Sequence, residues 1–332
     1  MIKELSYCIA KGVNPYENLA LEEYLLEHVK EGECILYLWQ NEKTVVIGKN
    51  QNPWKECRIE ELNNDGGKLV RRLSGGGAVF HDLGNLNFTF LVRKEDYDVK
   101  KQMTVIVEAV KALGIPAEIN GRNDITAEGK KFSGNAYYTD GVHSYHHGTI
   151  LISVDKEKLS KYLNVSRDKL VSKGVDSVKA RVVNLNEFRE DITVDMVREE
   201  LVKAFSFSFN LPVKNYELEN TGEEILHDLE KKFSSWEWIA GEKLSFDYRM
   251  ERRFQWGGIE IQLKVEKGIL SDLRVYSDAM EVAIFQEIEE QLKGCRFSSK
   301  DMAERLKQLK LAEGDMEDIL INITDMVMEE QV

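Results

Sequence analysis

The chain has 332 residues and carries 45 lysines and arginines against 58 aspartates and glutamates, a formal net charge of −13. This charge repels polyanions overall, so the sequence argues against a nucleic-acid partner and against an anionic membrane surface. No apolar run approaches the roughly 18 residues of a membrane span, and the four cysteines lack the paired spacing of a zinc site. The first residues also lack the basic start and apolar stretch of a signal peptide. We therefore expect a cytoplasmic protein with reduced cysteines.

The first predicted element is a helix that begins after Asn14. Asn14 is a favourable N-cap residue, Pro15 suits the first turn, and Glu17 stands three residues after the cap, as in a capping box. Apolar residues then recur every four positions, which predicts a core-facing stripe that ends near Gly32.

Strand-like runs dominate the following part of the chain. They lie at residues 35–39, 44–47, 86–90, 115–119 and 149–154. The first two flank a four-residue polar connection, which predicts an antiparallel hairpin. A second helix is expected over residues 99–113. Strands with few interleaved helices predict an α+β domain with a large mixed, mostly antiparallel sheet flanked by helices.

The pattern changes near residue 245, where glycine and charged residues interrupt it. We expect one domain over residues 1–245 and a small α+β domain over residues 246–332. In the second domain, two strand-like runs flank the turn Glu266-Lys267-Gly268 and predict a hairpin. The expected elements there are strands at 259–263 and 269–275 and helices near 279–293, 299–311 and 315–329.

The most unusual segment reads RRLSGGGAVFHD and covers residues 71–82. Three consecutive glycines remove every Cβ from the turn, so backbone amides can approach an anion closely. The two arginines before the glycines favour such an anion site over the alternative, a flexible hairpin tip. The segment is neither GxxxxGK[ST] nor GxGxxG, so a Walker loop or a dinucleotide loop is not supported.

Three further segments carry cations or imidazoles. GRND at residues 121–124 precedes KKFSGNA at 130–136, which puts lysines beside a turn with free amides, although the lysines alone would also suit a solvated hairpin tip. HSYHHGTI at 143–150 holds three of the six histidines. Because neighbouring histidines of a strand point to opposite faces, structural or ligand-contacting roles are favoured over metal ligation. Residues 169–181 carry four basic side chains and one acidic one, which makes a basic loop or simply a solvated face.

Taken in this order, the four segments resemble the lipoate–protein ligase A family, as does the helical sequence NLALEEYLL near the start. The resemblance extends over nearly the whole chain, because Trp256-Gly257-Gly258 and the residues after it match the accessory domain of the longer ligases. It implies a catalytic domain akin to biotin ligases and class II aminoacyl-tRNA synthetases over residues 1–245. Residues 246–332 would then be the accessory domain.

The resemblance implies a two-step reaction that uses ATP and Mg²⁺. Lipoate or octanoate and MgATP would give the acyl adenylate and pyrophosphate. The acyl group would then pass to a lysine of a lipoyl domain, in the E2 subunit of a 2-oxoacid dehydrogenase or in the glycine cleavage H protein. In the first step two anions must meet, and at ~4 Å they repel by about 4 kcal/mol for an effective dielectric near 20. Lys131 matches the family lysine that touches both anions, so it is the expected catalytic cation.

The same resemblance implies the other site residues. The expected ATP-binding residues are Arg72, Ser74, Gly75, Gly76, Gly77, Ala78, Val79, Phe80, Asn123, Asp124, Lys131 and Lys179. The expected lipoate-binding residues are Arg72, Gly77, Lys131, His147 and Gly148. Asp124 is also the expected ligand of Mg²⁺.

Related activities on the same fold remain as alternatives. Octanoyltransferases and lipoyl amidotransferases work through a cysteine thioester, and no cysteine lies between Cys57 and Cys295, so residues 71–181 contain no such nucleophile. An ATP-independent transferase that uses lysine and water, and a catalytically inactive protein that binds lipoate or a lipoyl domain, stay open. A biotin ligase would show a GRGRxGR-type loop in place of RRLSGGG.

Overall fold

The computed structural model describes residues 1–121, 123–164, 182–218, 222–241, 244–309 and 315–332. The chain forms two compact units. The first unit comprises Met1–Val46, Trp54–Arg71 and Val79–Ile239. The second comprises Ile47–Pro53, Arg72–Ala78 and Ala240–Val332, so it contains the three glycines together with the C-terminal part of the chain. None of the helices in the described ranges is long and apolar enough to cross a membrane.

An eight-stranded sheet is the framework of the first unit. Its spatial order is β11 (Val213–Asn215), β1 (Glu4–Ile9), β2 (Glu33–Trp39), β6 (Asn85–Arg93), β10 (His143–Leu151), β9 (Lys130–Thr139), β8 (Asp124–Ala127) and β7 (Glu118–Asn120). Strand β1 pairs in parallel with both neighbours, and the other pairs are antiparallel. The sheet is therefore mixed and mostly antiparallel, as the strand-rich pattern predicted.

Helices cover both faces of this sheet. The helices of the first unit are α1 (Pro15–His28), α2 (Pro53–Glu56), α3 (Ile59–Asn64), α4 (Val99–Ala112), α5 (Lys156–Tyr162), α6 (Val194–Phe209), α7 (Gly222–Ser234) and α8 (Trp236–Ala240), of which α2 and α8 each reach one residue into the second unit. Helices α4 and α6 pack on the apolar side chains of one face, which include Leu36, Leu38, Phe88 and Phe90. Helix α1 contacts the opposite face, where its buried Glu22 meets Thr89 and His147. The two faces thus differ in polarity, and α1 lies on the polar one.

One expected hairpin does not form. Strand β2 lies in the large sheet, whereas Thr44–Ile47 forms β3 in a separate three-stranded sheet, between β4 (Lys68–Arg71) and β5 (Val79–His81). In the polar connection after β2, Glu42 is exposed, but Asn41 is 0% exposed and accepts a hydrogen bond from Asn18 Nδ2 at 3.0 Å. The three glycines likewise do not form a hairpin tip, since β4 and β5 pair with β3 and not with each other.

The second unit is a three-stranded antiparallel sheet packed against helices. Its elements are β12 (Tyr248–Arg253), β13 (Gly258–Glu266), β14 (Ile269–Ser277), α9 (Ala283–Leu292), α10 (Ser299–Leu306) and α11 (Asp315–Glu329). The predicted hairpin is present, and its turn residues Lys267 and Gly268 have φ of 53° and 77°, as a two-residue hairpin loop requires. Strand β12 was not predicted, because charged residues surround Met250, its one fully buried side chain.

Candidate functional site

Lys131 lies near the start of β9, just after the turn of the β8–β9 hairpin. The turn residues Glu128 and Gly129 both have positive φ, 50° and 74°. Lys130 is exposed, as expected at a hairpin tip, whereas the side chain of Lys131 is only 34% exposed. The Lys131 ammonium lies 2.6 Å from Asp124 Oδ1. The two adjacent lysines therefore differ, and within the described part of the chain it is Lys131 that has a carboxylate partner across the hairpin.

A β-bulge and a glycine direct the Lys131 side chain. Ile125 pairs with Ser133 while Thr126 pairs with Lys131, so β9 carries one extra residue at this point. Bulges of this kind re-aim side chains. The side chain of Lys131 lies over Gly134, where an added Cβ would stand 2.9 Å from Lys131 Cε and 3.0 Å from Nζ. Gly134 thus gives the ammonium room to reach Asp124.

His147 belongs to a buried hydrogen-bonded chain on the α1 face of the sheet. Its Nδ1 donates to Glu22 Oε1 at 2.9 Å, and the same oxygen accepts from Thr89 Oγ1 at 2.6 Å. Trp39 Nε1 in turn donates to Thr89 Oγ1 at 3.0 Å. Glu22 is 1% exposed and His147 is 6% exposed. The chain fixes the orientation of the His147 ring.

The partners of His147 were not found by sequence reasoning. One signal was available for Glu22, which follows the buried Asn18 by four residues in α1 and precedes the buried Leu25 and Leu26. Positions with this spacing share one helix face, so a carboxyl group there is buried together with the apolar stripe. Thr89 and Trp39 carried no such signal.

His146 points to the other face of the sheet, as expected for neighbouring residues of a strand. It is 0% exposed, and its ring lies 5.3 Å from Phe88 and 6.0 Å from Phe90 between centroids. Burial lowers the pKa of His146 to about 3, so its ring is neutral at neutral pH. Nε2 carries the proton and donates to Asn135 Oδ1 at 2.8 Å. Among the described residues, Nδ1 has no hydrogen-bond partner, which suits a bare acceptor nitrogen in apolar surroundings.

We expect His146 to make the protein less stable in acid, and His146→Gln to remove that effect. The imidazole pKa is near 6.5 in the unfolded chain and about 3 in the folded protein, so the unfolded chain binds the proton first as the pH falls. The stability associated with the neutral ring is complete above about pH 6.5 and is lost by about 1.4 kcal/mol per pH unit below it. Urea unfolding of both proteins between pH 7 and 4 measures this. Equal pH slopes for wild type and variant would contradict the prediction.

Gly148 is required by close packing. An added Cβ would lie 2.7 Å from Phe88 Cζ, 2.7 Å from the Gly134 carbonyl oxygen and 2.8 Å from Asn135 Oδ1. These contacts show why the residue after the two histidines has no side chain. They also bring the backbone of β10 close to the strand that carries Lys131.

In the second unit, Arg72 donates hydrogen bonds to the glycine segment, residues 74–77. Its guanidinium donates from Nε to Ser74 Oγ at 3.0 Å, and from Nη2 to the carbonyl oxygens of Gly75 at 2.6 Å and Gly77 at 2.8 Å. Arg72 is 5% exposed. The arginine therefore shapes the segment from within, which the sequence could not indicate.

Two of the glycines pack on the C-terminal part of the same unit. Gly76 N donates to the Ala279 carbonyl oxygen at 2.8 Å, and a Cβ at Gly75 would overlap the carbonyl oxygens of Ala279 and Met280. The missing side chains thus serve backbone packing. Sequence reasoning attributed them to anion binding alone.

Gly75→Ala is expected to destabilise the second unit by about 1–3 kcal/mol, because the added methyl group meets backbone atoms that cannot rotate away. The measurement is urea unfolding followed by far-UV circular dichroism. Gly12→Ala is the matched control, since a Cβ at Gly12 would meet only Glu17 Oε2 at 3.6 Å, an ordinary contact. If the two variants unfolded at the same urea concentration, the packing argument would be wrong.

The remaining predicted residues are dispersed over the two units. Ala78 and Val79 are partly buried, whereas Phe80 is 2% exposed with its ring 5.3 Å from that of Tyr162. The side chain of Phe80 is thus part of the core, which leaves its backbone for contact with a ligand. The Asn123 carbonyl oxygen accepts a hydrogen bond from Asn135 N at 3.0 Å.

Lys179 lies outside the described residues, as does the whole of the basic loop, residues 169–181. The described chain resumes at Val182, and Val183 N donates to the Lys131 carbonyl oxygen at 2.9 Å. The segment that follows the basic loop is thus joined to β9 at Lys131.

Asp124 is a single carboxylate beside the Lys131 ammonium. Within the described ranges, no three His, Cys, Asp or Glu side chains form a group that could hold a metal ion by themselves. Mg²⁺, however, is commonly bound by one or two carboxylates together with substrate phosphates. Asp124 therefore fits a metal that arrives with a nucleotide.

Comparison with known proteins assigns the chain to a family. The family model of the lipoyl protein ligase A/B catalytic domain matches residues 14–206, and that of the bacterial lipoate protein ligase C-terminus matches residues 243–324. The lipoate-protein ligase A of Psychrobacter cryohalolentis is 36% identical over 325 residues, 96% of each chain. The structure of P. falciparum LipL1 in complex with lipoate has a TM-score of 0.85 at 28% identity and covers 98% of this chain and 99% of its own. A lipoate-protein ligase A bound with ATP has a TM-score of 0.63 at 28% identity, covering 73% of this chain and 99% of its own. The chain therefore belongs to the lipoate–protein ligase A family, as its four segments predicted.

Proposed function

We propose that this protein is an ATP-dependent lipoate–protein ligase in which Lys131 brings the two reacting anions together. Lipoate and ATP react to give lipoyl-AMP and pyrophosphate, and the lipoyl group then passes to a lysine of an acceptor protein. The observation that carries the proposal is the environment of Lys131, whose side chain is one-third exposed, lies over Gly134 and has Asp124 as its carboxylate partner. Such a cation can exchange this partner for incoming anions.

The first step joins two negatively charged groups, the lipoate carboxylate and the α-phosphate of ATP. An ammonium has three donors, so one lysine can contact both groups at once. At ~4 Å and an effective dielectric near 20, each contact is worth about 4 kcal/mol, as much as the repulsion between the two anions. Lys131 therefore holds the carboxylate oxygen against the phosphorus, and the bond to pyrophosphate breaks as the new P–O bond forms.

We assign the nucleotide contacts to the glycine segment and the residues around Lys131. They are Arg72, Ser74, Gly75, Gly76, Gly77, Ala78, Val79, Phe80, Asn123, Asp124, Lys131 and Lys179. Support comes from the ATP-bound relative and from the way Arg72 holds the backbone of the segment in one conformation. Asp124 would hold Mg²⁺, which neutralises phosphate charge and stabilises the departing pyrophosphate.

Lipoate contacts are assigned to Arg72, Gly77, Lys131, His147 and Gly148. The lipoate-bound relative supports a lipoate site, and the buried chain from His147 to Glu22 supports a fixed wall on this face of the sheet. In this proposal residues 1–245 form the catalytic domain and residues 246–332 the accessory domain.

The raised pKa values of the cysteine thiols argue against a mechanism that passes through a cysteine thioester. Burial raises the pKa of Cys8 to about 11 and that of Cys57 to about 12, and it also raises the pKa of Cys34 and of Cys295. A thiolate is the nucleophile in such transferases, and a raised pKa keeps the thiol protonated. The four cysteines are free thiols, which agrees with the cytoplasmic location that we propose.

The test combines the purified protein with ATP, Mg²⁺, lipoate and candidate acceptors. The acceptors are the lipoyl domains of 2-oxoacid dehydrogenase E2 subunits and the glycine cleavage H protein. We expect pyrophosphate release and a mass increase of one lipoyl group on a single acceptor lysine. Acyl transfer without ATP would favour the transferase alternative, and lipoate binding without pyrophosphate release would favour the binding protein.

A further inference from the structure

Asn135, on the strand that carries Lys131, makes four hydrogen bonds. Its side chain is buried, with 5% of the residue exposed. Oδ1 accepts from His146 Nε2 at 2.8 Å, and Nδ2 donates to the Asn123 carbonyl oxygen at 3.1 Å and to Ser133 Oγ at 3.4 Å. The backbone N of Asn135 donates to the same Asn123 oxygen at 3.0 Å. One residue thus links β10 to the segment that leads into Asp124.

The orientation of the Asn135 amide is determined by its neighbours. If the amide were turned over, its oxygen would face the Asn123 carbonyl oxygen and its NH₂ group would face the N–H of His146. Both contacts are repulsive, so only the stated orientation satisfies the donors and acceptors. The missing Cβ of Gly148 leaves the space for Oδ1 in this orientation, since an added Cβ there would stand 2.8 Å from it.

The Nε2–H group of His146 is a constant hydrogen-bond donor to the Asn135 side chain, because the ring stays neutral. Its surroundings are apolar on the β6 side, where Phe88 and Phe90 lie. Among the described residues, the titratable groups that act on it are Tyr137 of β9, at 5.3 Å between ring centroids, and its strand neighbour His147, which points to the other face of the sheet. No carboxylate is among them, so nothing stabilises a charged ring and the single proton stays on Nε2.

Asn135 is linked to the Lys131 ammonium through the peptide between Asn123 and Asp124. The Asn123 carbonyl, held by both donors of Asn135, precedes Asp124 directly, and Asp124 pairs with Gly134 across the hairpin. The Asp124 carboxylate is in turn the partner of the Lys131 ammonium at 2.6 Å. A shift of the Asn123 peptide would therefore move the Asp124 carboxylate, and with it the position of the Lys131 ammonium.

From this geometry we infer that Asn135 is a positioning residue for Lys131: held by the buried N–H of His146, it fixes the Asn123 carbonyl and thereby the Asp124 carboxylate against which the ammonium is aligned. The inference rests on the proposed function for its catalytic consequence. The alignment itself depends only on the contacts given above.

The decisive variant is Asn135→Asp, which keeps the shape and the acceptor for His146 but removes the donor to Asn123. Two carbonyl-type oxygens then face each other, and the Asn123 peptide must move. We expect kcat for pyrophosphate release to fall by about tenfold or more, with less than about a threefold change in KM for lipoate, because a displacement near 1 Å is costly for chemistry. Asn64→Asp, an exposed position in α3, is the matched control and should retain wild-type values.

Two further readouts separate positioning from a merely structural role. The new carboxylate beside Nε2 favours the charged imidazole, so the pH profile of Asn135→Asp should gain an ionisation that is absent from wild type and disappears in the double variant with His146→Gln. The rate of Lys131 acetylation by acetic anhydride, measured by mass spectrometry relative to Lys130, should rise about threefold, since an amino group that has lost its contact with the Asp124 carboxylate is more accessible to the reagent.

The possible outcomes distinguish this inference from the proposed function. If wild type releases no pyrophosphate, the proposed function fails, and the acetylation ratio still decides the alignment. An unchanged kcat or an unchanged acetylation ratio in folded Asn135→Asp would overturn the inference. If that variant does not fold, Asn135→Ser replaces it and must show the same fall in kcat and the same rise in acetylation, or the inference is wrong.

Discussion

Lys131→Ala is expected to reduce lipoyl-AMP formation by about 10²- to 10³-fold while leaving the fold intact. Removal of a single electrostatic contact to a developing or reacting anion has an effect of this size in other enzymes. The Lys131 side chain is 34% exposed and lies over Gly134, so its loss opens no cavity in the core. The adenylate is measured directly by chromatography of reactions with labelled ATP, and the fold is checked by circular dichroism.

Lys130→Ala provides the matched control for this experiment. The two lysines are adjacent, but Lys130 is exposed and only Lys131 pairs with Asp124. We therefore expect Lys130→Ala to change the free energy of unfolding by less than about 0.5 kcal/mol and to leave adenylate formation close to that of wild type. A Lys131→Ala protein with near-normal adenylate yield would refute the mechanism. Equal losses in both variants would point to the general charge of the hairpin and not to one cation.

Glu22→Ala is expected to cause the largest loss of stability among the variants considered. The Glu22 carboxyl group is 1% exposed and accepts hydrogen bonds from Thr89 at 2.6 Å and His147 at 2.9 Å. Removing a buried acceptor costs about 1–3 kcal/mol for each donor that loses its bond, and the truncated side chain also leaves a cavity. The midpoint of urea unfolding should therefore fall strongly.

The control for Glu22→Ala is Glu27→Ala on the same helix. Glu27 is exposed in α1, so the two changes share the helix propensity gained from alanine but differ in burial. We expect Glu27→Ala to alter stability by less than about 0.5 kcal/mol. Glu22→Gln should recover part of the loss, because the amide oxygen still accepts one hydrogen bond. If Glu22→Ala and Glu27→Ala were equally stable, the buried chain would contribute nothing to the fold.

The glycine segment was correctly singled out from the sequence, but the reason given for its glycines was incomplete. Its three glycines singled out the segment in the sequence, and they were attributed to close approach of an anion. In the structure, Gly75 also has no room for a Cβ beside Ala279 and Met280, and Arg72 bonds to the carbonyl oxygens of Gly75 and Gly77. These partners are about 200 positions apart or depend on a folded turn, and neither relation leaves a local sequence signal.

The strand pairing shows a similar limit. The runs that became β2 and β3 were recognised as strands from their composition, but their pairing with each other was wrong. A short polar connection between strands normally predicts a hairpin. Here Asn41 in that connection is buried and bonded to Asn18 of α1, so the chain passes from one sheet to another. Tertiary contacts outweighed the local preference.

By itself the sequence determined the family, the α+β class with its mixed sheet, and Lys131 as the candidate cation, because each of these depends on short contiguous motifs and on local periodicity. Only the tertiary structure decided which groups surround the candidates. Glu22 meets His147 across 125 positions, and Asn135 meets His146 by cross-strand pairing that brings the strand of Lys131 against the strand of the histidines. Such contacts are set by sheet register and helix docking, which involve residues far apart in the chain. The physical reason is that a motif specifies chemistry locally, whereas burial, hydrogen-bond partners and the space around a side chain are properties of the packed fold.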